Sequence, residues 1–593
     1  MTALRNLALI LLTFAPCLLM PQRSLPGIPE YKSVLYQYPY LKWGTFFTSN
    51  TWLVFTEANA VAADGQGNGY YAGETEPFTG VPTPGCFQFI HGGGDEDGFI
   101  EKFDNNGERI WGTYYGGSQS DYIYDLTVDH EGCLIVAGLT GSTNGIATAG
   151  TYQPSIISPG DGFIAKFSPD GERIWGTYLG GIGNEWIGGV CVDLENNIIA
   201  CGNTRSTAQF ATPGSHQETY GGSPYGDGFL AKLTPDGLIV FCTYYGGADY
   251  DESYNVRCDS LNFIYMTGTT NSDTAIGTPG TQQPWYTPPY GDGFLVKFTP
   301  EGERVWGTYI GGVGSDYASD VCFDQSKNIY MAGGGQSYIN VATPGAHKEE
   351  REGDEGYLIK YSPSGLRIWG TYFGGAEDEG FQSIRYNPAY GQIVLCGISN
   401  SDEGVAMPGA HQPDWYYGYS QQGDPRFDGF IAAFDTAGVQ QWGTYMGGNM
   451  TDYVHDLDID SLNNIIYCGY SSSQSSPYLT TPGCFQPTHT NQHAAFFGMF
   501  AIDTLTSVNS LTDQFSAFEV SPNPFIDEVV ITLPQERQCK GVFHVFDLEG
   551  RKLRDGDLEN GKNRQCLSNL SPGIFILQVI QGDHVSLQKI IKK

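Results

Sequence analysis

Apolar residues in this 593-residue chain fall in short runs bounded by Gly, Pro and Asp, rich in β-branched and aromatic types and without a helical period. One recurring run opens on Asp97-Gly98-Phe99, Asp161-Gly162-Phe163, Asp227-Gly228-Phe229, Asp292-Gly293-Phe294, Glu355-Gly356-Tyr357 and Asp428-Gly429-Phe430, with Ala495-Phe496-Phe497 a degenerate seventh. A second run carries Trp-Gly-Thr, anchored at Trp43, Trp111, Trp175, Trp306, Trp369 and Trp442, with Phe241-Cys242-Thr243 in its place once. Turns such as Ser168-Pro169-Asp170-Gly171 join the two runs. Pro presets the turn and Gly supplies positive φ, so each pair reads as a β-hairpin. A Gly-Gly, a short acidic crossing and two more apolar runs follow, as at 125–129 and 134–138, and predict a second hairpin.

The anchors recur at steps of 63 to 73 residues, and four short strands in a unit of that length describe a propeller blade. The first Trp phrase has no Asp-Gly-Phe strand before it, and the last such strand, at Phe496, has no Trp phrase after it. Residues 42–47 are therefore expected to complete the blade begun by 454–500, which leaves no sheet edge open. The expected fold is all-β: a seven-bladed β-propeller over 40–503 with interlocked N- and C-terminal closure, followed by a small Ig-like β-sandwich. The repeated phrases resemble the SBBP family, the β-propeller repeats of bacterial secreted proteins. Phe241-Cys242 and the degenerate seventh phrase depart from that pattern.

From about Ser516 the repeat stops, and new strands are expected at 529–533, 542–547, 573–580 and 585–591. Ser521-Pro522-Asn523-Pro524-Phe525, Val545-Phe546-Asp547-Leu548-Glu549-Gly550-Arg551, Leu570-Ser571-Pro572-Gly573 and the ending Lys589-Ile590-Ile591-Lys592-Lys593 resemble the type IX secretion system type A sorting domain. The resemblance implies export, with the secretion machinery as partner through residues 517–593 after a linker at 504–516. Arg5 followed by the apolar stretch 7–20 reads as a signal peptide over 1–22. No later run approaches eighteen apolar residues, so no transmembrane anchor is expected. The expected location is extracellular or at the outer cell surface.

The formal charge is −35, and residues 517–593 hold ten Lys plus Arg against ten Asp plus Glu, so the excess lies upstream. An acidic repeat region repels phosphates and excludes nucleic acid as the natural partner. One acidic column, Asp121, Glu185, Asp251, Asp316, Glu379 and Asp452, with Thr56 in the seventh slot, supports two readings. It forms a carboxylate ring at one mouth of the channel, suited to a hard cation such as Ca²⁺, or each carboxylate accepts hydrogen bonds from its own Gly-Gly crossing. The second reading is favoured. No cofactor beyond that Ca²⁺ is expected.

The longest loops carry Thr-Pro-Gly phrases and aromatics, notably Trp285, Tyr286, Trp415 and Tyr416. These suit contacts to sugar or protein, or else cover the blade's own edge. Cys191, Cys258 and Cys322 fall near one strand position, and Cys191 with Cys201 is a candidate pair across a hairpin. No nucleophile elbow, His-Glu-x-x-His helix or P-loop is present, so no catalytic residues are assigned. The pattern points to a secreted or cell-surface propeller acting as a non-catalytic binding or adhesion scaffold for glycan or protein ligands. The alternative is an extracellular polysaccharide hydrolase or lyase using mouth carboxylates such as Asp249, Asp251 and Glu252.

Overall fold

The computed structural model describes residues 39–49, 54–407, 410–416 and 426–502, and further along 519–521, 526–533, 541–546, 552–559, 562–570, 573–581 and 584–592. The expected signal peptide and the linker at 504–516 lie outside the described residues. Residues 39–502 form one compact unit, and the residues from 503 onward belong to another.

Within 39–502 the described strands form seven four-stranded antiparallel sheets. The first runs Thr56–Ala63, Gly69–Thr75, Asp97–Phe103 and Arg109–Tyr115 in simple up-and-down order. Five more repeat that order. In the seventh sheet, Asp452–Ile459, Ile465–Ser471 and Ala494–Ala501 take Tyr40–Phe47 as their fourth strand, with Trp43 opposite Met499 and Phe46 opposite Phe496. First strands pack on first strands, from Thr56–Ala63 through Asp121–Val128, Glu185–Val192, Asp251–Cys258, Asp316–Phe323 and Glu379–Asn387 to Asp452–Ile459, which packs on Thr56–Ala63 in turn.

Burial explains the phrases. The third strands Asp97–Phe103, Asp161–Phe167, Asp227–Leu233 and Asp292–Phe298 are buried at every position. A strand covered on both faces needs a near-continuous apolar run rather than an alternating one. Aromatic rings join neighbouring sheets: Tyr115 lies 5.4 Å from Phe163 and 5.3 Å from Phe167, and Tyr245 lies 5.4 Å from Phe294 and 5.6 Å from Phe298. Such pairs contribute about 0.5–1.5 kcal/mol each beyond their buried area.

In four of the Trp-Gly-Thr phrases the indole N–H clasps the next sheet, while Trp43 Nε1 is buried without a partner. Trp111 Nε1 donates to the Pro169 carbonyl at 3.0 Å, Trp175 to Pro235 at 3.0 Å, Trp306 to Pro363 at 3.2 Å and Trp369 to Thr436 at 3.2 Å. Each acceptor belongs to the hairpin turn of the following sheet, whose positive-φ glycine lies under the indole; a Cβ on Gly171 or Gly237 would stand 3.0 Å from it. Phe241 keeps the ring over Gly302 without an N–H to donate.

The Gly of the phrase is set by a close approach. A Cβ on Gly176 would stand 2.2 Å from the Ile146 carbonyl oxygen, and the same clash recurs at Gly307 with Ile276, Gly370 with Val341 and Gly443 with Val405. The long loop of each blade lies there, against the outer strand: Thr148 N donates to Gly176 O at 2.8 Å and Thr278 N to Gly307 O at 2.8 Å. The Thr-Pro-Gly loops therefore cover the edge of their own sheet, as a solvent-facing edge requires.

The described part of the second unit has two sheets, one of Glu519–Ser521, Glu528–Thr532 and Lys562–Cys566, the other of Lys552–Leu558, Gly541–Phe546, Gly573–Gln581 and His584–Lys592. Val529, Ile531, Phe543, Val545, Leu577 and Ile590 share one buried cluster.

Replacing Trp175 by Phe, which nature does at position 241, removes one hydrogen bond and is expected to cost about 1 kcal/mol. Gly176→Ala is expected to cost more, since the loop must move. Urea unfolding of the two variants measures the order, and a Gly176→Ala protein as stable as wild type would refute the close-approach account.

Candidate functional site

Six of the seven chain crossings from one sheet to the next are held by a carboxylate of the acidic column. Asp121 is fully buried; its Oδ2 accepts from Gly117 N at 2.6 Å and Ser142 Oγ at 2.8 Å, and Oδ1 accepts from Thr140 Oγ1. The second glycine of each Gly-Gly repeats the bond: Gly181 to Glu185 at 2.8 Å, Gly247 to Asp251 at 2.7 Å, Gly312 to Asp316 at 3.3 Å, Gly375 to Glu379 at 3.0 Å and Gly448 to Asp452 at 2.7 Å. Thr56, in the seventh slot, bonds Thr75 Oγ1 at 2.9 Å. These six carboxylates thus spend their acceptor capacity on donors of their own blade, the geometry that a turn-locking role requires.

Beside each sits the first residue of an Asp-Gly-Phe strand. A Cβ on Gly116 would stand 2.4 Å from Asp97 Oδ1 and 2.8 Å from Asp121 Oδ2, so the first glycine of the pair gives two carboxylates room to meet. Asp97 Oδ2 accepts from Gly92 N. One oxygen each of Asp97, Asp227, Asp292, Glu355 and Asp428 is buried without a partner. Burial pushes Asp97 and Asp227 up to about 7 and Asp292 and Asp428 up to about 8, with the neighbouring column carboxylate adding to the rise.

Three residues after each locked position, every first strand carries a β-bulge. The ladder skips Asn59, Tyr124, Gly188, Tyr254, Ser319, Gln382 and His455. A bulge re-aims its side chain out of the pleat, and all seven positions line one cavity of about 460 Å³ with Trp186, Tyr317, Asp125, Asn255, Ser383 and Asp456. Asn255 and Gln382 offer amides among the aromatic faces of Tyr124, Trp186, Tyr254 and Tyr317. The lining of this cup combines aromatic walls with a few polar groups, among them the carboxylates of Asp125 and Asp456.

An ion-pair network adjoins the cup through Asp125 and Asp456, and an acidic cluster borders it through His455. Asp320 Oδ2 meets Arg257 Nη2 at 3.1 Å and Arg385 Nη1 at 2.6 Å, and Asp456 Oδ1 meets Arg385 Nη2 at 3.4 Å. Asp125 and Asp456 also accept from backbone amides of neighbouring sheets, Val190 N at 2.7 Å and Val61 N at 3.0 Å. At the side, His455 Nε2 lies 3.5 Å from Glu57 Oε1, and burial with nearby Glu96 raises Glu57 to about 7. Burial, with Glu57 and Glu96 nearby, pushes Glu74 well above the carboxylate range.

The aromatic candidates part company. Trp285 is 72% exposed and lines a second cavity of about 550 Å³ with Tyr286, Asp249, Asn271, Asp273, Pro288 and Pro289. Trp415 is 8% exposed inside a hydrophobic cluster with Phe430 and Tyr445, so its face is spent on the core, while Tyr416 is half exposed. Asp249, Asp251 and Glu252 are divided among three settings: the second cavity, the locked crossing, and a hydrogen bond from Tyr250. Cys191 and Cys201 do not face each other: counted from the hairpin turn, Cys191 pairs with Ile199 and Cys201 with Gly189, two positions away. The cup escaped sequence reasoning, though a signal existed: the third position after the acidic column holds seven positions of mixed type inside otherwise repeated strands.

Residues 519–593 match the family model of a secretion system C-terminal sorting domain, and residues 240–273 match that of a β-propeller repeat. The chain carries a β-propeller repeat and a sorting tail. The tail directs export to the extracellular space or cell surface and implies contact with the type IX secretion machinery. An uncharacterized WD repeat-containing protein of Acanthamoeba polyphaga mimivirus is 23% identical over 461 residues, which are 64% of this chain and 32% of the viral protein. The chain thus spans about a third of that relative's length. Among solved structures, a protein from Lactobacillus plantarum covers 68% of this chain and 95% of its own at 8% identity and a TM-score of 0.34. A gluconolactonase from Xanthomonas campestris covers 62% of this chain and 82% of its own at 10% identity and a TM-score of 0.28. No helix among the described residues is long and apolar enough to cross a membrane.

The carboxyl pairs make stability depend on pH in a stated direction. An acid whose folded pKa is raised holds its proton more tightly when folded, so stability falls as pH rises from about 4, the unfolded value, to the 7–8 of the folded groups. Asp292→Asn and Asp428→Asn are expected to flatten that fall. Melting midpoints between pH 5 and pH 8 check it, and a slope equal to wild type in both variants would contradict the assignment.

Proposed function

We propose that this exported protein is a non-catalytic binding scaffold: a seven-bladed propeller closed by its own two ends, presenting a central cup to an extracellular glycan. The ring reading is supported by the shared sheet of Tyr40–Phe47 with Ala494–Ala501 and by the packing of Asp452–Ile459 on Thr56–Ala63. One observation carries the binding role, the cavity to which each of seven first strands sends its bulge residue. Sugar rings present apolar faces to aromatic side chains and hydroxyls to amides, and Trp186, Tyr254, Asn255 and Gln382 offer both. The six crossing carboxylates take the turn-locking role, and residues 517–593 serve export.

The test is glycan-array binding of the full chain followed by titration of the best hit. Trp186→Ala and Tyr254→Ala are each expected to weaken binding about tenfold or more, as loss of a buried aromatic contact does. Retention of full affinity by both variants would sink the cup as the site.

A second reading, hydrolysis or lysis of polysaccharide, is favoured by Glu57, whose pKa of about 7 is suited to general acid–base chemistry beside the cup. It expects turnover on a polysaccharide panel that Glu57→Gln lowers by about a hundredfold or more. Binding without turnover leaves the scaffold reading standing.

A further inference from the structure

We infer that Cys191 and Cys258 form a disulfide that ties two neighbouring first strands together in the exported protein. Cys191 is the penultimate residue of Glu185–Val192 and Cys258 the last of Asp251–Cys258, the first strands of adjacent sheets, and their sulfurs lie 3.6 Å apart. Among the described residues no other two cysteine sulfurs make such a contact. Cys191 is buried and Cys258 half-buried, so the pair sits in the layer between the two sheets.

Two further facts support the bond. The sorting tail takes the chain out of the cytoplasm, and compartments outside it permit disulfides to form and persist. The remaining buried cysteines lack this juxtaposition: Cys201 lies opposite Gly189, and Cys468 Sγ contacts the Ala58 carbonyl. The hydrogen bond with Cys191, together with burial, holds the Cys258 thiol well above its ordinary range. A thiol of that kind is a poor nucleophile in the finished fold, so oxidation belongs to the folding stage, when both sulfurs are still solvated.

The step is an exchange with the disulfide of an envelope thiol–disulfide oxidoreductase. One thiolate attacks the oxidant's disulfide, the other displaces the oxidant from the mixed disulfide, an S–S bond joins Cys191 to Cys258, and the electron pair and two protons leave with the oxidant as a dithiol. The crosslink closes a chain segment of 67 residues. It also anchors the cup wall, since Trp186 and Tyr254 stand on the same two strands.

The experiment uses the full chain recovered from the medium or envelope of an exporting host. Free thiols are trapped with iodoacetamide in denaturant, and the protein is digested and mapped without reduction. The expected result is one crosslinked peptide pair joining Cys191 to Cys258, with both residues unlabelled until reductant is added. Alkylation of both residues in the unreduced sample, or either one joined to a different cysteine, would overturn the assignment. A second measurement covers function in the fold: the melting midpoint of wild type is expected to fall by several degrees on reduction while that of Cys258→Ser stays put. Equal shifts in the two proteins would count against the bond.

Discussion

The constraint on which this molecule rests is the locked crossing between sheets. A chain leaving the last strand of one sheet turns into the first strand of the next, and the Gly-Gly and the acid at the two ends of that turn are buried, so their polar groups need partners. A buried carboxylate answers that need at six of seven crossings, taking an amide and hydroxyl donors at once. The first glycine beside it exists because two acids crowd the same point. The sheet that begins at Thr56 keeps the bulge, at Asn59, with a Thr56–Thr75 hydroxyl pair in place of the acid.

Much of this was legible in the sequence because the repeat copies local chemistry. The hairpins, the turns at Ser168-Pro169-Asp170-Gly171 and its equivalents, and the acidic column follow from residue types that act within a few positions of themselves. The task of the Trp was not legible: its acceptor lies about sixty residues downstream, on the next sheet. The cup was hidden for a different reason. Counting a strand at period two assumes an unbroken ladder, and a bulge reverses the side on which every later residue appears. Cys191 and Cys201 stand two register positions apart on one hairpin, and the neighbour of Cys191 is another sheet's cysteine, a full repeat along the chain.

The exposed loops show how a composition signal misleads. Trp285 and Trp415 stand in comparable aromatic-rich stretches, yet one is a solvent-facing wall and the other is core. Sequence fixes that a large ring is present; whether its face is free depends on which strand the loop lies against. The histidines of the same loops obey the same rule: His216 lies 5.8 Å from Phe298 and His411 5.4 Å from Phe500, so both act as packing rings.

The bulges give the scaffold a separation of concerns. Because each bulge residue stands outside the ladder, its side chain can be exchanged without disturbing the pairing on either side, and the seven positions already hold Asn, Tyr, Gly, Tyr, Ser, Gln and His. Repetition keeps the frame constant while one residue per repeat is left free to drift. Repeated frame and individual side chains can therefore coexist in one chain, and proteins with the same frame need not present the same cavity.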